Sequence, residues 1–143
     1  MGAIVCATRG GKASRATQER AIDLAKERGA DLVFLCIVDP SFGGPMDESL
    51  ACALDDELKR LGRSLLCMAQ ARAQQQGIDA KTVVRSGKVT ESIEATVREL
   101  DADLVVIGAP GSESQMEAFG SEDSSRLAQA VRKSTGVEVV IVA

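Results

Sequence analysis

Apolar residues follow two alternating patterns along the chain. Short, nearly continuous apolar runs predict buried strands over residues 3–8, 31–38, 79–85, 103–107 and 137–142. Between these runs, apolar residues recur every three to four positions, which predicts helices over residues 13–28, 47–76, 88–100 and 122–134. Strands with continuous hydrophobicity are covered on both faces of a sheet. The pattern therefore predicts a single α/β domain over residues 1–143, with an open five-stranded parallel sheet and helices on both faces.

The connections between the elements predict the order of the strands. Crossovers between parallel strands are almost always right-handed. The third connection is long, which indicates that the winding of the chain reverses there. We therefore expect the order 3-2-1-4-5, with strands 1 and 4 adjacent. Open α/β sheets bind ligands beyond the carboxyl ends of the strands at such a reversal. Two loops, residues 8–13 and 108–121, are expected to meet at that crevice.

The longest predicted helix carries a single apolar stripe. Its members recur every three to four residues and are Leu50, Leu54, Leu58, Leu61, Leu65 and Met68. Such a stripe predicts the face that a helix buries.

The four cysteines are interpreted as free core residues. They are Cys6, Cys36, Cys52 and Cys67, and no Cys-x-x-Cys pair occurs. Cys52 and Cys67 would lie about 22 Å apart along one helix, which is too far for a disulfide. We therefore expect all four thiols to be buried and to react slowly with thiol reagents in the native protein.

Composition and charge exclude several functions. The chain has 143 residues, a net charge of −4, and no histidine, tryptophan or tyrosine. Without histidine there is no imidazole base or metal ligand, and neither a catalytic residue nor a metal site is assigned. The negative net charge argues against nucleic-acid binding, which depends on clustered basic residues. No apolar run is long enough to span a bilayer. A cytoplasmic protein is expected, since its cysteines suit a reducing compartment and no secretory signal is evident.

The loop after the fourth strand combines glycines with the start of a helix. It contains Gly108 and Gly111, then a spacer over 112–119, then Gly120 and Ser121. Glycines allow backbone amides to approach a ligand, and a helix N-terminus favours an anion. Alternatively, Ser121 only caps the helix, and the acids that follow it stabilise the helix dipole. Both interpretations remain open at this point.

The whole chain resembles the universal stress protein family. The resemblance is carried by IVCATRGGKASRATQERAIDLAKERGADLVFLCIVD at the start, VRSGKVTESI in the middle, and IGAPG through GSEDSSRLAQAVRKSTGVEVVIVA at the end. It implies an adenine nucleotide alpha hydrolase-like fold, dimerisation through the last strand and, in one branch, ATP binding at Gly-x2-Gly-x9-Gly-Ser/Thr. The leading hypothesis is therefore a non-enzymatic stress-response regulator with an adenine-nucleotide crevice.

The resemblance also implies which residues surround the nucleotide. They occupy the ends of strands 1, 2 and 4 and the start of the fourth helix: Ala7, Thr8, Arg9, Ile37, Asp39, Gly108, Gly111, Gly120, Ser121 and Glu122. Two features depart from the ATP-binding pattern. The spacer over 112–119 has eight residues instead of nine, and Arg9 stands where ATP-binding relatives have an aspartate.

Charge in the second loop opposes a triphosphate. Residues 108–125 contain Glu113, Glu117, Glu122 and Asp123 but no basic residue. A close solvated pair of like charges costs on the order of 1 kcal/mol at 4 Å, although Mg²⁺ can bridge such groups. Ion pairs from Arg9 to Glu113 or Glu122 are favoured over direct contacts of Arg9 with an anion. We expect ATP binding that is weak, magnesium-dependent or undetectable, without hydrolysis.

The last strand predicts an assembly. VEVVIV has one charged residue, and a long apolar edge strand is normally covered. Antiparallel pairing of two such edges predicts a homodimer with Val139, Val140 and Ile141 near its two-fold axis; a helix covering the edge is the alternative. Two other functions also remain open: a dimeric interaction protein of the same fold without a nucleotide, and an ATP-dependent α/β enzyme.

Overall fold

A computed structural model describes residues 2–8, 12–38, 47–108 and 124–142 of the chain. Strands and helices alternate throughout these ranges. In chain order they are β1 (Ala3–Ala7), α1 (Lys12–Arg28), β2 (Asp31–Val38), α2 (Glu48–Gln75), β3 (Lys81–Ser86), α3 (Val89–Leu100), β4 (Ala102–Gly108), α4 (Ser124–Thr135) and β5 (Glu138–Val142). The predicted alternation is confirmed, and every boundary lies within two residues of its predicted position.

The five strands form one parallel sheet in the order β3-β2-β1-β4-β5, as predicted. The central strand β1 places Ala7 beside Leu35 of β2 on one side and beside Ile107 of β4 on the other. The winding of the chain reverses between these two neighbours. The carboxyl ends of β1 and β4 therefore lie side by side, where a ligand crevice is expected.

Two apolar layers cover the sheet. On one face, buried residues of α1 and α2 pack against side chains such as Phe34 and Leu104. On the other face, α3 and α4 pack against residues such as Leu35 and Val105. Because both faces are covered, β2 is buried at every position from Leu32 to Val38. Continuous hydrophobicity is thus the pattern that this strand requires.

The face that α2 buries overlaps its predicted apolar stripe only in part: Leu58 is buried, and Leu54 and Leu65 pack partly buried against the core. Leu50, Leu61 and Met68 are 57%, 43% and 57% exposed. The buried residues of the helix are Leu58, Gly62, Leu66, Ala69 and Ala73. At about 100° per residue, the centre of this face is rotated by roughly a quarter turn from the centre of the predicted stripe.

Close approach of α2 to the sheet explains the rotation. A Cβ atom at Gly62 would lie 3.2 Å from Sγ of Cys36 and 3.5 Å from Cγ1 of Val84. Glycine and alanine therefore allow the helix backbone to lie close to β2 and β3, where a row of leucines would not fit. The side chains of Leu50, Leu61 and Met68 are left exposed to solvent.

The structure also corrects the prediction for the cysteines. Cys6 and Cys36 are buried as expected, but Cys52 and Cys67 are exposed on α2. Burial raises the pKa of Cys36 to about 12 and raises the pKa of Cys6 as well, so the reactive thiolate is disfavoured at both strand positions. The prediction that all four thiols are buried was wrong, because at about 100° per residue Cys52 and Cys67 lie outside both the predicted stripe and the buried face of α2.

Candidate functional site

The carboxyl edge of the sheet brings together four of the predicted site residues. Ala7 ends β1, Thr8 follows it, and Gly108 ends β4. The backbone N–H of Thr8 donates to the carbonyl oxygen of Leu35 at 2.9 Å, which continues the contact of β1 with β2 beyond the strand. Ile37 lies further along β2 at the same edge and is buried. The strand order therefore places these residues at the carboxyl edge of three adjacent strands.

The other predicted site residues lie outside the described ranges. They are Arg9, Asp39, Gly111, Gly120, Ser121 and Glu122. The expected ion pair between Arg9 and the acidic loop lies outside these ranges too. Their assignment to the crevice stays a prediction.

Gly108 has a packing role that the sequence did not reveal. A Cβ atom at this position would lie 2.7 Å from Oγ1 of Thr17, closer than real Cβ contacts allow. Thr17 is a buried residue of α1. Glycine at position 108 therefore lets α1 pack against the end of β4, whatever ligand this edge holds.

A buried polar chain leads from α2 to Thr8. The guanidinium Nη1 of Arg72 donates to Oε1 of Gln18 at 2.6 Å. The amide Nε2 of Gln18 in turn donates to Oγ1 of Thr8 at 2.9 Å. Gln18 and Thr8 are only 3% and 5% exposed. Buried polar groups need such partners, because an unsatisfied one costs about 1–3 kcal/mol.

Sequence reasoning missed both Gln18 and Arg72. Gln18 lies four positions before Ile22, on the face of α1 that carries Ala21 and Ala25. A polar residue on an apolar helical face was thus a visible signal of a buried hydrogen bond. Its partner Arg72 lies 54 residues further along the chain, and no local pattern connects the two.

A second cleft, about 390 Å³ in volume, lies at the carboxyl end of β3, beside α2 and α3. Two of its basic residues already have acidic partners: Lys59 pairs with Asp55 at 3.0 Å, and Arg85 pairs with Glu99. The hydroxyl of Ser86 also donates to Asp55, and this hydrogen bond is the main reason that the pKa of Asp55 is lowered. Lys88 also lines the cleft, together with the acidic Glu91.

Neither a metal-binding cluster nor a membrane-spanning helix occurs in the described ranges. Residues 2–8, 12–38, 47–108 and 124–142 contain no group of three or more His, Cys, Asp or Glu side chains that could hold a metal ion. Within the same ranges, every helix is too short or too polar to cross a membrane.

Comparison with known proteins agrees with this geometry. A model of the universal stress protein family matches residues 1–142. The fold is similar to that of universal stress protein UspA from Lactobacillus plantarum, which is 22% identical, with a TM-score of 0.77, and the match covers 99% of this chain and 97% of that one. A universal stress protein solved in complex with cAMP is also 22% identical, with a TM-score of 0.71 and coverage of 99% and 97%.

A third similar structure is the universal stress protein from Archaeoglobus fulgidus in complex with dAMP. It is 18% identical, with a TM-score of 0.64, and the match covers 100% of this chain and 98% of that one. These neighbours share the open five-stranded α/β fold of this chain. Because the family model extends over nearly the whole chain, the protein belongs to the universal stress protein family.

Proposed function

We propose that this protein is a non-enzymatic cytoplasmic regulator that binds an adenine nucleotide at the carboxyl ends of β1 and β4. The observation that carries the proposal is the adjacency of Thr8 and Gly108 where the winding of the sheet reverses. Similar folds have been solved with cAMP and with dAMP, which supports a nucleotide of this class. The free, buried thiols of Cys6 and Cys36 are in keeping with a reducing compartment.

A monophosphate suits the local charge better than ATP does. The segment from Gly108 to Ser125 has four acidic residues and no basic one. ATP carries roughly four negative charges and a nucleoside monophosphate about two at neutral pH, so ATP meets more repulsion, on the order of 1 kcal/mol per close solvated pair. We therefore propose AMP or a cyclic monophosphate as the preferred ligand, with ATP weak unless Mg²⁺ is present.

Isothermal titration calorimetry at physiological salt tests this proposal. AMP and cAMP should bind, GMP serves as the matched base control, and ATP should bind weakly without Mg²⁺ and remain unhydrolysed. Ligands that bind the native state should also raise the melting temperature, since saturation at a hundred times Kd stabilises by about 2.7 kcal/mol. Tight ATP binding without Mg²⁺ would contradict the charge argument. Failure of every adenine nucleotide to bind would instead favour an interaction protein of this fold.

Two variants separate the two charge effects. Arg9→Asp places an aspartate where the family resemblance expects one, and Glu122→Val removes one acid beside Ser121 without changing its hydroxyl. If Arg9 is the main obstacle to ATP, the first variant tightens ATP binding more; if the acidic loop dominates, the second does.

We also propose that the protein is a homodimer paired through β5. This strand is the edge of the sheet beside β4, and Ile141 on it is 39% exposed. Val140 is half-buried, whereas Val139 is buried within its own subunit. Two such edges would cover each other when paired about a two-fold axis.

Light scattering at micromolar concentration checks the dimer. The native protein should give twice the 15.0 kDa mass of the chain, and Ile141→Lys should shift it toward the monomer, because it places like charges near the axis. An exposed control substitution far from β5, such as Glu57→Lys on α2, should leave the dimer intact. A native protein that is monomeric throughout this range would contradict the proposal.

A further inference from the structure

The polar chain that ends at Thr8 has a fixed direction. An arginine guanidinium has only hydrogen-bond donors, so the group that faces Arg72 must be an acceptor. The amide of Gln18 must therefore present Oε1 to Arg72, and it does so at 2.6 Å. The NH₂ group of the same amide is then left to face Thr8, whose Oγ1 lies 2.9 Å away.

This direction determines the role of the Thr8 hydroxyl. Since Oγ1 accepts from Gln18, the single hydroxyl hydrogen points away from Gln18. The backbone of Thr8 is held by its hydrogen bond to Leu35, so the residue keeps its place at the end of β1. The hydroxyl hydrogen is therefore directed at a partner other than Gln18, and Thr8 is a donor toward that partner.

We infer that Arg72 is a positioning residue, which acts through Gln18 to make Thr8 a hydrogen-bond donor toward the nucleotide. The ligand group that suits such a donor is an oxygen acceptor, either a phosphate oxygen or a ribose oxygen. The inference rests on the proposed function, because it places Thr8 at the nucleotide. Arg72 lies on α2, outside the crevice, and determines whether the Thr8 hydroxyl donates or accepts a hydrogen bond within the crevice.

Joining α1 to α2 would not by itself require the hydrogen bonds through Gln18. Lys26 and Gln76 already join α1 to the end of α2 at 3.3 Å on the surface. Placing Gln18 and Thr8 inside the protein instead carries a cost that an apolar pair would avoid. The direction of these hydrogen bonds at Thr8, where the chain ends, gives a reason for keeping it polar.

Reversal of the chain is the most direct test. In Arg72→Glu, the new carboxylate is an acceptor, so Gln18 should turn its NH₂ group toward position 72 and its Oε1 toward Thr8. The hydroxyl of Thr8 would then donate to Gln18 and be lost as a donor to the ligand. Titration calorimetry should show AMP binding weakened about tenfold, the scale of one hydrogen bond.

Three controls separate polarity from charge and from folding. Arg72→Lys keeps a donor and should bind AMP within about twofold of the native protein. Arg63→Glu makes the same charge change at an exposed position of α2 and should also stay within about twofold. In a Thr8→Val background, Arg72→Glu should cause no further loss. An equal additional loss in that background would overturn the inference, as would an equal loss in Arg63→Glu.

Neutron diffraction of the ligand-free protein tests the inference independently of nucleotide binding. The deuteron on Oγ1 of Thr8 should point away from Gln18 in the native protein and toward it in Arg72→Glu. A deuteron directed at Gln18 in the native protein would overturn the inference. If the native protein binds no nucleotide while the deuteron points away from Gln18, the proposed function fails and the polarity set by Arg72 stands.

Discussion

Replacement of Leu66 by alanine should lower the free energy of unfolding by about 2–5 kcal/mol, the usual cost of a large cavity in a core. Leu66 is fully buried on the face of α2 that contacts the sheet. Leu61 lies on the same helix but is 43% exposed. Leu61→Ala should therefore cost less than about 1 kcal/mol.

The pair of variants measures which face of α2 is buried. Both make the same chemical change in the same helix, so differences in helix propensity cancel. Urea denaturation monitored by circular dichroism gives both free energies, and a similar slope m in the variants would show that the unfolded states are comparable. Equal losses, or a larger loss for Leu61→Ala, would mean that the leucine stripe and not the glycine-alanine face packs on the sheet.

Gly108→Ala should destabilise the protein by about 1–3 kcal/mol, the usual cost of overpacking. The added Cβ would lie 2.7 Å from Oγ1 of Thr17, and Thr17 is a buried β-branched residue with little freedom to turn away. Removing that oxygen with Thr17→Ala should relieve the contact. The double variant should therefore lose less stability than the two single variants together.

A double-mutant cycle by denaturant unfolding gives the coupling, expected at about 0.5–3 kcal/mol for residues in contact. Thr17→Val is the matched control, because it keeps the β-branched shape and places a methyl group where Oγ1 lies, so it should not rescue Gly108→Ala. Strict additivity of Gly108→Ala and Thr17→Ala would show that the two residues do not constrain each other. If the double variant folds normally yet binds no AMP, the glycine serves the ligand as well as the packing.

The elements of the fold and the order of the strands follow from local patterns in the sequence. The run from Leu32 to Val38 is apolar at every position, and such a run has one stable place, between two covered faces. The weaker hydrophobicity of residues 79–85 likewise agrees with the partial burial of the edge strand β3. The strand order follows because right-handed crossovers leave few alternatives. The same reasoning predicts that Thr8 and Gly108 lie at one edge of the sheet.

Such local patterns do not predict which face of α2 is buried. The sequence of this helix contains two candidate faces, one rich in leucine and one built from Gly62, Ala69 and Ala73 with two leucines. Hydrophobicity favours the first, but the distance between the helix and strands β2 and β3 selects the second. That distance is a property of the packed layers and cannot be read from the helix alone.

The sequence by itself determined the number, kind and order of the elements, because each depends on the periodicity of a short segment and on the handedness of short connections. Only the tertiary structure decided why position 108 is glycine and what holds the hydroxyl of Thr8. Both depend on side chains of α1 and α2 that are distant in sequence, with Arg72 lying 54 residues beyond Gln18. Hydrogen bonds and close contacts are set within a few tenths of an ångström, and that precision exists only once the helices have packed against the sheet.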